Sequence, residues 1–278
     1  MAAEEPLGDG KYPDFDVSKP NVARVYDAML GGKDNFAADR EFVADVLRFA
    51  PMAPLGAIAN RQFLQRVVQY LVIEAGVTQF LDLGSGLPTQ GNVSEVAHQF
   101  SPRAHVVHVD NDAVVYTHSR ALLADARTTD FVVGDVRRPD EVLADPAVKA
   151  LIDFDQPVGL LLFALLHHVE DSDHPERIMA EFRAAMPSGS YVAISSLRLP
   201  GPELPELRAI TIEGEKLHAG PLGAMRWRED GEILSWFGGW ELVSPGFVPL
   251  GDWRPPVAGH VPYPEVQNSF SGGVARKR

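Results

Sequence analysis

Apolar residues follow two different periods along the chain. Segments with an apolar residue at every third or fourth position, the spacing of an amphipathic helix, are residues 21–30, 41–47, 63–72, 92–100, 113–124 and 175–186. Short apolar runs typical of buried strands are residues 79–83, 104–109, 130–133, 158–163 and 191–195. From residue 63 onward the two kinds alternate, which predicts an α/β fold with a mostly parallel sheet.

The two ends of the chain depart from this alternation. The first two helical segments precede any strand, so we expect them to form a lid behind a loosely held arm of residues 1–19. After Pro200 the pattern predicts two further helices, the first carrying Leu207 and Ile210, and a closing strand pair at 240–243 and 270–275. We therefore expect an arm and helical lid over residues 1–54 and a sheet-containing domain over residues 55–278.

The first strand breaks into a turn with two glycines. Gly84 and Gly86 permit a positive φ and close approach of a ligand, and ligands of open α/β sheets bind at the carboxyl ends of strands. A dinucleotide fingerprint would have a third glycine where Thr89 stands. Asp82 would repel a pyrophosphate but attract a sulfonium or ammonium group. The turn, including Ser85, favours S-adenosylmethionine; a turn whose aspartate only binds loop amides is the alternative.

Acidic residues also follow the second and third strands. Asp110 lies 24 residues after Gly86, near the ~20-residue offset at which an acid reaches ribose hydroxyls in nucleotide-binding units. Asp135 can accept from an adenine amino group while Val136 packs on the ring. One such acid is commonly only a helix cap, but the set predicts an adenosine site across three adjacent strand ends.

Composition narrows the possible partners. The net charge of −13 disfavours nucleic acid, whose binding depends on Lys and Arg. The absence of cysteine excludes disulfides, thiolate metal sites and iron–sulfur clusters. The longest apolar run, Val158 to Leu166, is shorter than the ~20 residues of a spanning helix, and the acidic N-terminus lacks a signal core. We expect a cytoplasmic protein with a small-molecule partner, no nucleic acid and no membrane; the sequence indicates no oligomeric state.

These motifs together resemble those of class I S-adenosylmethionine-dependent methyltransferases. Leu81-Asp82-Leu83-Gly84-Ser85-Gly86 is similar to their first motif, Val109-Asp110 to their ribose acid, Gly134-Asp135-Val136 to their adenine motif, and Leu165-Leu166-His167-His168-Val169 to the segment after their fourth strand. The resemblance implies a Rossmann-like fold with a seven-stranded, mostly parallel sheet and an antiparallel last strand. It also implies S-adenosylmethionine as cofactor, S-adenosylhomocysteine as product, and cofactor binding by Asn111 beside Asp110. Pro88 departs from the pattern, because many members have a third glycine there.

The N-terminal region narrows the resemblance. Residues 23–27, 30–36, 39–40, 60–64 and 273–277 together are similar to an S-adenosyl methyltransferase family of unassigned substrate that is common in actinobacteria. The likeness implies that Gly32, Asn35 and Arg61 lie near the methionine portion of the cofactor, where Arg61 could pair with its carboxylate. The alternative is a helix pair packed on the sheet edge, with Arg61 in a surface ion pair.

His167 and His168, just after the fourth strand, are candidate general bases because histidine titrates near working pH. A base is needed only if the acceptor arrives protonated, and a histidine at a strand end is more often structural. Adjacent histidines on an extended segment point to opposite faces, so we expect no metal there. His105 and His108 are not expected to be co-ligands either.

The acceptor pocket is expected between residues 26–36, the segment after His168, and the helix at 204–217. Trp253, in a Pro-rich loop, is a candidate for its entrance. The Asn/Asp-Pro-Pro-aromatic signature of amino-directed DNA methyltransferases is missing after the fourth strand, which favours a small-molecule acceptor. Two other functions stay open: a non-catalytic sensor of S-adenosylmethionine or S-adenosylhomocysteine, and an NAD-dependent dehydrogenase.

Overall fold

The computed structural model describes residues 16–88, 91–112, 114–117, 119, 127–218, 222–257 and 266–278. Three helices precede the sheet: α1 (Val22–Met29), α2 (Ala37–Phe49) and α3 (Ala53–Ile73). The following elements are β1 (Gln79–Leu83), α4 (Val93–Phe100), β2 (His105–Asp110), β3 (Thr129–Val133), α5 (Pro139–Ala144), α6 (Pro146–Leu151), β4 (Gly159–Phe163), α7 (Pro175–Ala185), β5 (Tyr191–Leu197), α8 (Pro205–His218), α9 (Asp230–Ser235), β6 (Glu241–Leu242), β7 (Val248–Pro249) and β8 (Phe270–Arg276). The helix predicted at 113–124 is seen at 114–117 and 119; its other residues lie outside the described ranges.

The sheet has the strand order β3-β2-β1-β4-β5-β8-β6, with β7 paired to β8. The first five strands are parallel, and β8 is antiparallel to β5. From β1 the chain proceeds to β2 and β3 on one side and to β4 and β5 on the other, so a crevice opens over the carboxyl ends of β1 and β4. The predicted fold is confirmed, with eight strands rather than seven because the short β7 forms in the Pro-rich loop.

Apolar side chains cover both faces of the sheet. Along β1, Leu81 and Leu83 belong to one buried cluster and Phe80 to the other, because successive strand residues point to opposite faces. The helix α7 packs on the first face. The helix α3 packs on the second, where each fully buried side chain such as Phe63 contributes about 1.5–3 kcal/mol. The core therefore fixes the strand ends that form the crevice.

Two predictions about local structure need correction. The helix α3 begins at Ala53, ten residues before the predicted start, because Pro54 stands in its first turn, where proline needs no hydrogen-bond partner for its nitrogen. Trp253 is fully buried against Phe63 and Tyr70 and does not form an entrance. The predicted cap of α4 is confirmed, since the Asn92 side chain accepts from the backbone N–H of Glu95 at 2.9 Å.

No single helix in the described ranges is long and apolar enough to cross a membrane. The segments 37–48 and 53–73 reach that length and composition only as a pair bent by 108°.

Candidate cofactor and acceptor site

A cavity of about 860 Å³ lies over the carboxyl ends of the parallel strands. The first helices and α8 complete its walls. It brings together most of the residues that the sequence singles out: Asp82, Gly84, Ser85, Gly86, Asp110, Asn111, Gly134, Asp135, Val136, Arg61, His167 and His168. A second depression, of about 670 Å³, lies at the opposite end of the sheet and contains none of them.

The glycine turn has two positions with different requirements. Gly84 and Gly86 adopt φ values of +66° and +65°, which L side chains rarely adopt. A Cβ on Gly84 would also lie 2.5 Å from Cδ1 of Leu165, which follows β4. A Cβ on Gly86 would meet no protein atom within 4 Å. Gly84 is therefore required for packing, whereas Gly86 borders open space in the cavity.

Asp110 holds the turn from the end of β2. Its Oδ2 accepts from the N–H of Gly86 at 2.8 Å and its Oδ1 from the N–H of Asp112 at 3.1 Å. Burial raises the pKa of Asp110 to about 6; the two amide hydrogen bonds oppose that rise, and the charges of Asp112 and Asp82 add to it. A carboxylate oxygen has two lone pairs, so both oxygens can still accept from a ligand diol.

Asp82 has a partner that the sequence analysis missed. The register of β1 and β2 places it beside His108, and its Oδ2 lies 2.8 Å from Nδ1 of His108 in a buried pair. The signal was available, since both residues lie near the carboxyl ends of adjacent parallel strands, but their 26-residue separation hid the contact. His105 does not share this site, because its Nδ1 lies 2.9 Å from the carbonyl of Leu151.

Asp135 is bound by a neighbouring arginine. Both of its oxygens accept from the Arg137 side chain, at 2.6–3.0 Å. Burial alone would raise the pKa of Asp135, but the hydrogen bonds and charge of Arg137 outweigh it and hold that pKa below its usual value. Close packing requires glycine at position 134, because a Cβ there would lie 2.9 Å from Cγ1 of Val109. An adenine amino group would share the Asp135 carboxylate with Arg137.

The three residues placed near the methionine portion separate in the structure. Arg61 lines the cavity and donates to the carbonyl of Gly91 at 3.3 Å. Gly32 and Asn35 do not line the cavity. Both contact Asp27, a residue that does line it. Their direct contact with the cofactor stays a prediction.

His167 and His168 lie in a 3₁₀ turn, Leu166–His168, with ring centroids 4.4 Å apart. The expectation that they point to opposite faces is therefore wrong, because it assumed an extended segment. Within the described part of the chain, no group of three or more histidine, aspartate or glutamate side chains is arranged to hold a metal ion.

The two histidines differ in which ring nitrogen carries the proton. Nδ1 of His168 lies 3.1 Å from the Ala224 carbonyl, which can only accept, so Nδ1 is protonated and Nε2 keeps its lone pair. Nδ1 of His167 instead accepts from the N–H of Leu197, which places its proton on Nε2. Burial lowers the pKa of His168, and burial with the charges of His168 and Arg228 holds the pKa of His167 well below 6.5. Both rings are neutral at pH 7.

A hydrogen-bond chain that the sequence analysis did not find joins the lid to the strand ends. The Asn60 side chain donates to the Tyr26 hydroxyl at 2.9 Å and accepts from the Ser195 hydroxyl at 2.6 Å. The Ser195 oxygen accepts from the N–H of Ala164, whose φ is +54°. This chain holds a strained backbone position directly after β4, and such strain clusters at active sites.

This geometry defines the class of the protein. A doubly wound sheet with an antiparallel strand beside β5, a glycine turn after β1 and a half-buried acid at the end of β2 are the fold features of class I S-adenosylmethionine-dependent methyltransferases.

Comparison with known proteins gives the family. The sequence profile of the S-adenosyl methyltransferase family matches residues 9–278, and the chain belongs to that family. The structure is similar to that of a candidate methyltransferase from Thermobifida fusca, with 42% identity, a TM-score of 0.86, and 95% of this chain and 97% of that chain covered. It is also similar to a DUF574 family protein from Streptomyces avermitilis, with 35% identity, a TM-score of 0.86 and coverage of 95% and 99%. No protein of curated function matches the chain.

Proposed function

We propose that this methyltransferase modifies a small, largely apolar acceptor through a hydroxyl or another protonated nucleophile. The observation that carries the proposal is the apolar wall of the cavity beyond the glycine turn. The volume of about 860 Å³ is near the top of the range of about 300–1,000 Å³ for small-ligand pockets, which leaves room for a cofactor and a small acceptor. The apolar wall residues include Met29, Phe42, Met52, Leu207, Ile210, Met225 and Trp227.

The polar wall of the cavity suits S-adenosylmethionine. Asp110 lies half-buried on the cavity wall, where a ribose diol would donate to it, and Gly86 leaves the adjoining space open. The carboxylates of the wall outnumber the cations Arg61 and Arg137, which favours a ligand with positive charge. S-adenosylmethionine, when bound, supplies an electrophilic methyl group on a positively charged sulfur.

The chain contributes mainly alignment and exclusion of water. Carboxylates near a cationic sulfur stabilise the ground state more than a transition state in which that charge is lost, so they do not accelerate the transfer. The helices α1 and α2 cover the strand ends and shield the reacting groups. Tyr26 and Asn60 link this cover to the segment after β4. The resulting rigidity would keep acceptor and methyl group in line.

His168 is the better of the two candidate bases. Its Nε2 keeps a lone pair, its ring is neutral at pH 7, and the Ala224 carbonyl fixes its orientation. Nε2 of His167 carries the proton and cannot accept another. We therefore assign to His168 the removal of the acceptor's proton and to His167 a structural role.

Calorimetry and methyl transfer together test the proposal. Titration with S-adenosylhomocysteine should give binding and titration with NAD none; binding of NAD alone would overturn it. Methyl-labelled cofactor, incubated with phenols, aliphatic alcohols and amines, should label at least one hydroxyl compound. Label found only in added DNA or RNA would contradict a small acceptor. Binding of S-adenosylhomocysteine without transfer to any compound would favour the sensor.

A further inference from the structure

The ring of His168 is oriented by the 222–228 segment, which precedes α9. Nδ1 of His168 donates to the carbonyl of Ala224 at 3.1 Å. Beside this bond, the N–H of Arg226 donates to the carbonyl of His167 at 2.8 Å. The two bonds place the segment against the 3₁₀ turn that carries both histidines. The position of Ala224 therefore decides which nitrogen of His168 holds the proton and whether Nε2 keeps its lone pair.

A buried arginine anchors the end of this segment to the strand ends. The side chain of Arg228 is 1% exposed, and it donates to the carbonyl of Val169 and to Oδ1 of Asp171, both at 2.7 Å. Its backbone also pairs with that of Leu197 and Leu199, at and just after the end of β5. A buried cation is costly to separate from its partners. This end of the segment is therefore fixed to the sheet without any contribution from α8.

The middle of the segment is held by Glu215, a residue of α8. Its Oε1 lies 2.9 Å from Nε of Arg226, and its Oε2 accepts from the N–H of Trp227 at 3.0 Å. Nη1 of Arg226 also donates to Oδ2 of Asp171 at 2.7 Å. The Glu215 side chain is only 23% exposed, so water and salt screen its charge less than that of a fully exposed group. Arg226 thus joins α8 to the residues that follow the 3₁₀ turn.

The same contacts shape the apolar part of the cavity. The segment and α8 together contribute four apolar residues to its wall: Leu207, Ile210, Met225 and Trp227. Neither Glu215 nor Arg226 lines the cavity, so both act through the groups that they hold. A shift of α8 would be transmitted through this ion pair to Ala224. A misplacement of a reacting group by about 1 Å can cost about 10²-fold in rate.

We infer that Glu215 is a positioning residue: through Arg226 it holds the Ala224 carbonyl against Nδ1 of His168 and so couples the placement of α8 to the orientation of the base. The inference rests on the proposed role of His168 and adds to it the residue that keeps Nε2 ready to accept a proton. It also links the helix that borders the acceptor to the group that deprotonates the acceptor.

The test measures the state of the His168 ring directly. Glu215→Gln keeps the shape of the side chain and can still accept from the N–H of Trp227, but it loses the charge that holds Arg226. Glu206→Gln changes an exposed carboxylate in the first turn of the same helix and is the matched control. Long-range proton–nitrogen NMR of histidine-labelled protein reports the tautomer and the pKa of each ring, and His168→Gln assigns the signals of His168.

The wild type and Glu206→Gln should carry the proton of neutral His168 on Nδ1. Glu215→Gln should show a second population with the proton on Nε2. The pKa of His168 should also fall further in Glu215→Gln, because burial lowers it and the Ala224 hydrogen bond opposes that effect. Arg226→Gln should give the same change, and adding Glu215→Gln to it should change the spectrum little, because Glu215 acts through Arg226.

S-adenosylhomocysteine binding separates positioning from loss of the fold. Both variants should bind it within about threefold of the wild type. An unchanged His168 ring in Glu215→Gln and Arg226→Gln overturns the inference, and so does a wild-type ring with its proton on Nε2. A changed ring that is accompanied by loss of S-adenosylhomocysteine binding indicates general disruption and also overturns it. Failure of the wild type to bind S-adenosylhomocysteine overturns the proposed function alone, since the NMR result does not depend on the ligand.

Discussion

Replacement of Asp110 by Asn tests the ribose assignment through pH. In the ligand-free protein the pKa of Asp110 is about 6 because the carboxyl group is buried. A diol that donates to the carboxylate binds the charged form, so affinity should be constant above pH 7 and fall tenfold per unit below about pH 6. Between pH 7.5 and pH 5 the wild type should therefore lose about tenfold in affinity, or ~1.4 kcal/mol.

The variant should lose both the affinity and this pH dependence. At pH 7.5, Asp110→Asn removes hydrogen bonds to a charged acceptor and should weaken S-adenosylhomocysteine by roughly 1.5–3 kcal/mol. Between pH 5 and pH 8 its affinity should vary less than that of the wild type. Calorimetry with S-adenosylhomocysteine measures both effects, and Asp155→Asn, which changes an exposed loop carboxylate, is the matched control. The same slope in the wild type and in Asp110→Asn would refute the reasoning.

The same pKa has a consequence for stability. The folded protein holds the Asp110 proton up to about pH 6, and the unfolded chain releases it near 3.8. The tighter binding of this proton by the folded protein therefore stabilises the fold fully below pH 3.8, and this stabilisation is lost as the pH rises through 6. The full loss corresponds to about 3 kcal/mol at pH 7. Ligand-free Asp110→Asn should therefore be more stable than the wild type at pH 7. The gain should be smaller than this amount, because the asparagine amide has one acceptor oxygen for two backbone N–H groups, and its NH2 group would face the other N–H. Urea unfolding would measure the difference, and a less stable variant would contradict it.

Three further predictions follow from the site and the lid. Once an acceptor is known, His168→Gln should lower kcat by about 10²–10⁴-fold, and the pH midpoint below which wild-type activity falls should lie under 6.5, because burial lowers the pKa of His168 from that usual value. Gly84→Ala should destabilise the protein more than Gly86→Ala in urea unfolding: both share a backbone cost of about 1–2 kcal/mol, but only the first collides with Leu165. Arg24→Leu should cost about 3–5 kcal/mol of stability, because it leaves the fully buried Asp39 without its cation.

Each of these predictions has a control and a contradicting result. His167→Gln is the control for His168→Gln, and an equal loss of kcat in both would remove the base assignment. Equal destabilisation by the two alanines would show that Leu165 yields to the new Cβ. Arg48→Leu breaks an exposed ion pair and should cost no more than about 1 kcal/mol; a similar cost for Arg24→Leu would contradict the importance of the buried pair.

The features that the sequence predicted are those that depend on neighbours along the chain. The apolar runs became β1 to β5, and Asn92 caps α4, because burial and capping are local. The glycine turn after β1 and the position of Asp110 at the end of β2 were predicted from a spacing that α/β folds share. The two histidines were misjudged because a 3₁₀ turn, rather than a strand, follows β4.

The features that the sequence could not predict are contacts between distant segments. Ser195 reaches Asn60 across 135 residues, and Asp82 meets His108 only through the register of two strands. The resemblance pointed to Gly32 and Asn35, but only the packed lid shows that they contact Asp27.

The most direct test of the account is a crystal structure with S-adenosylhomocysteine bound. The account predicts ribose hydroxyls within hydrogen-bond distance of the Asp110 carboxylate and a sulfur that faces the apolar chamber beside His168. A ligand bound away from the carboxyl ends of β1 and β2, with Asp110 still bonded only to backbone amides, would contradict it.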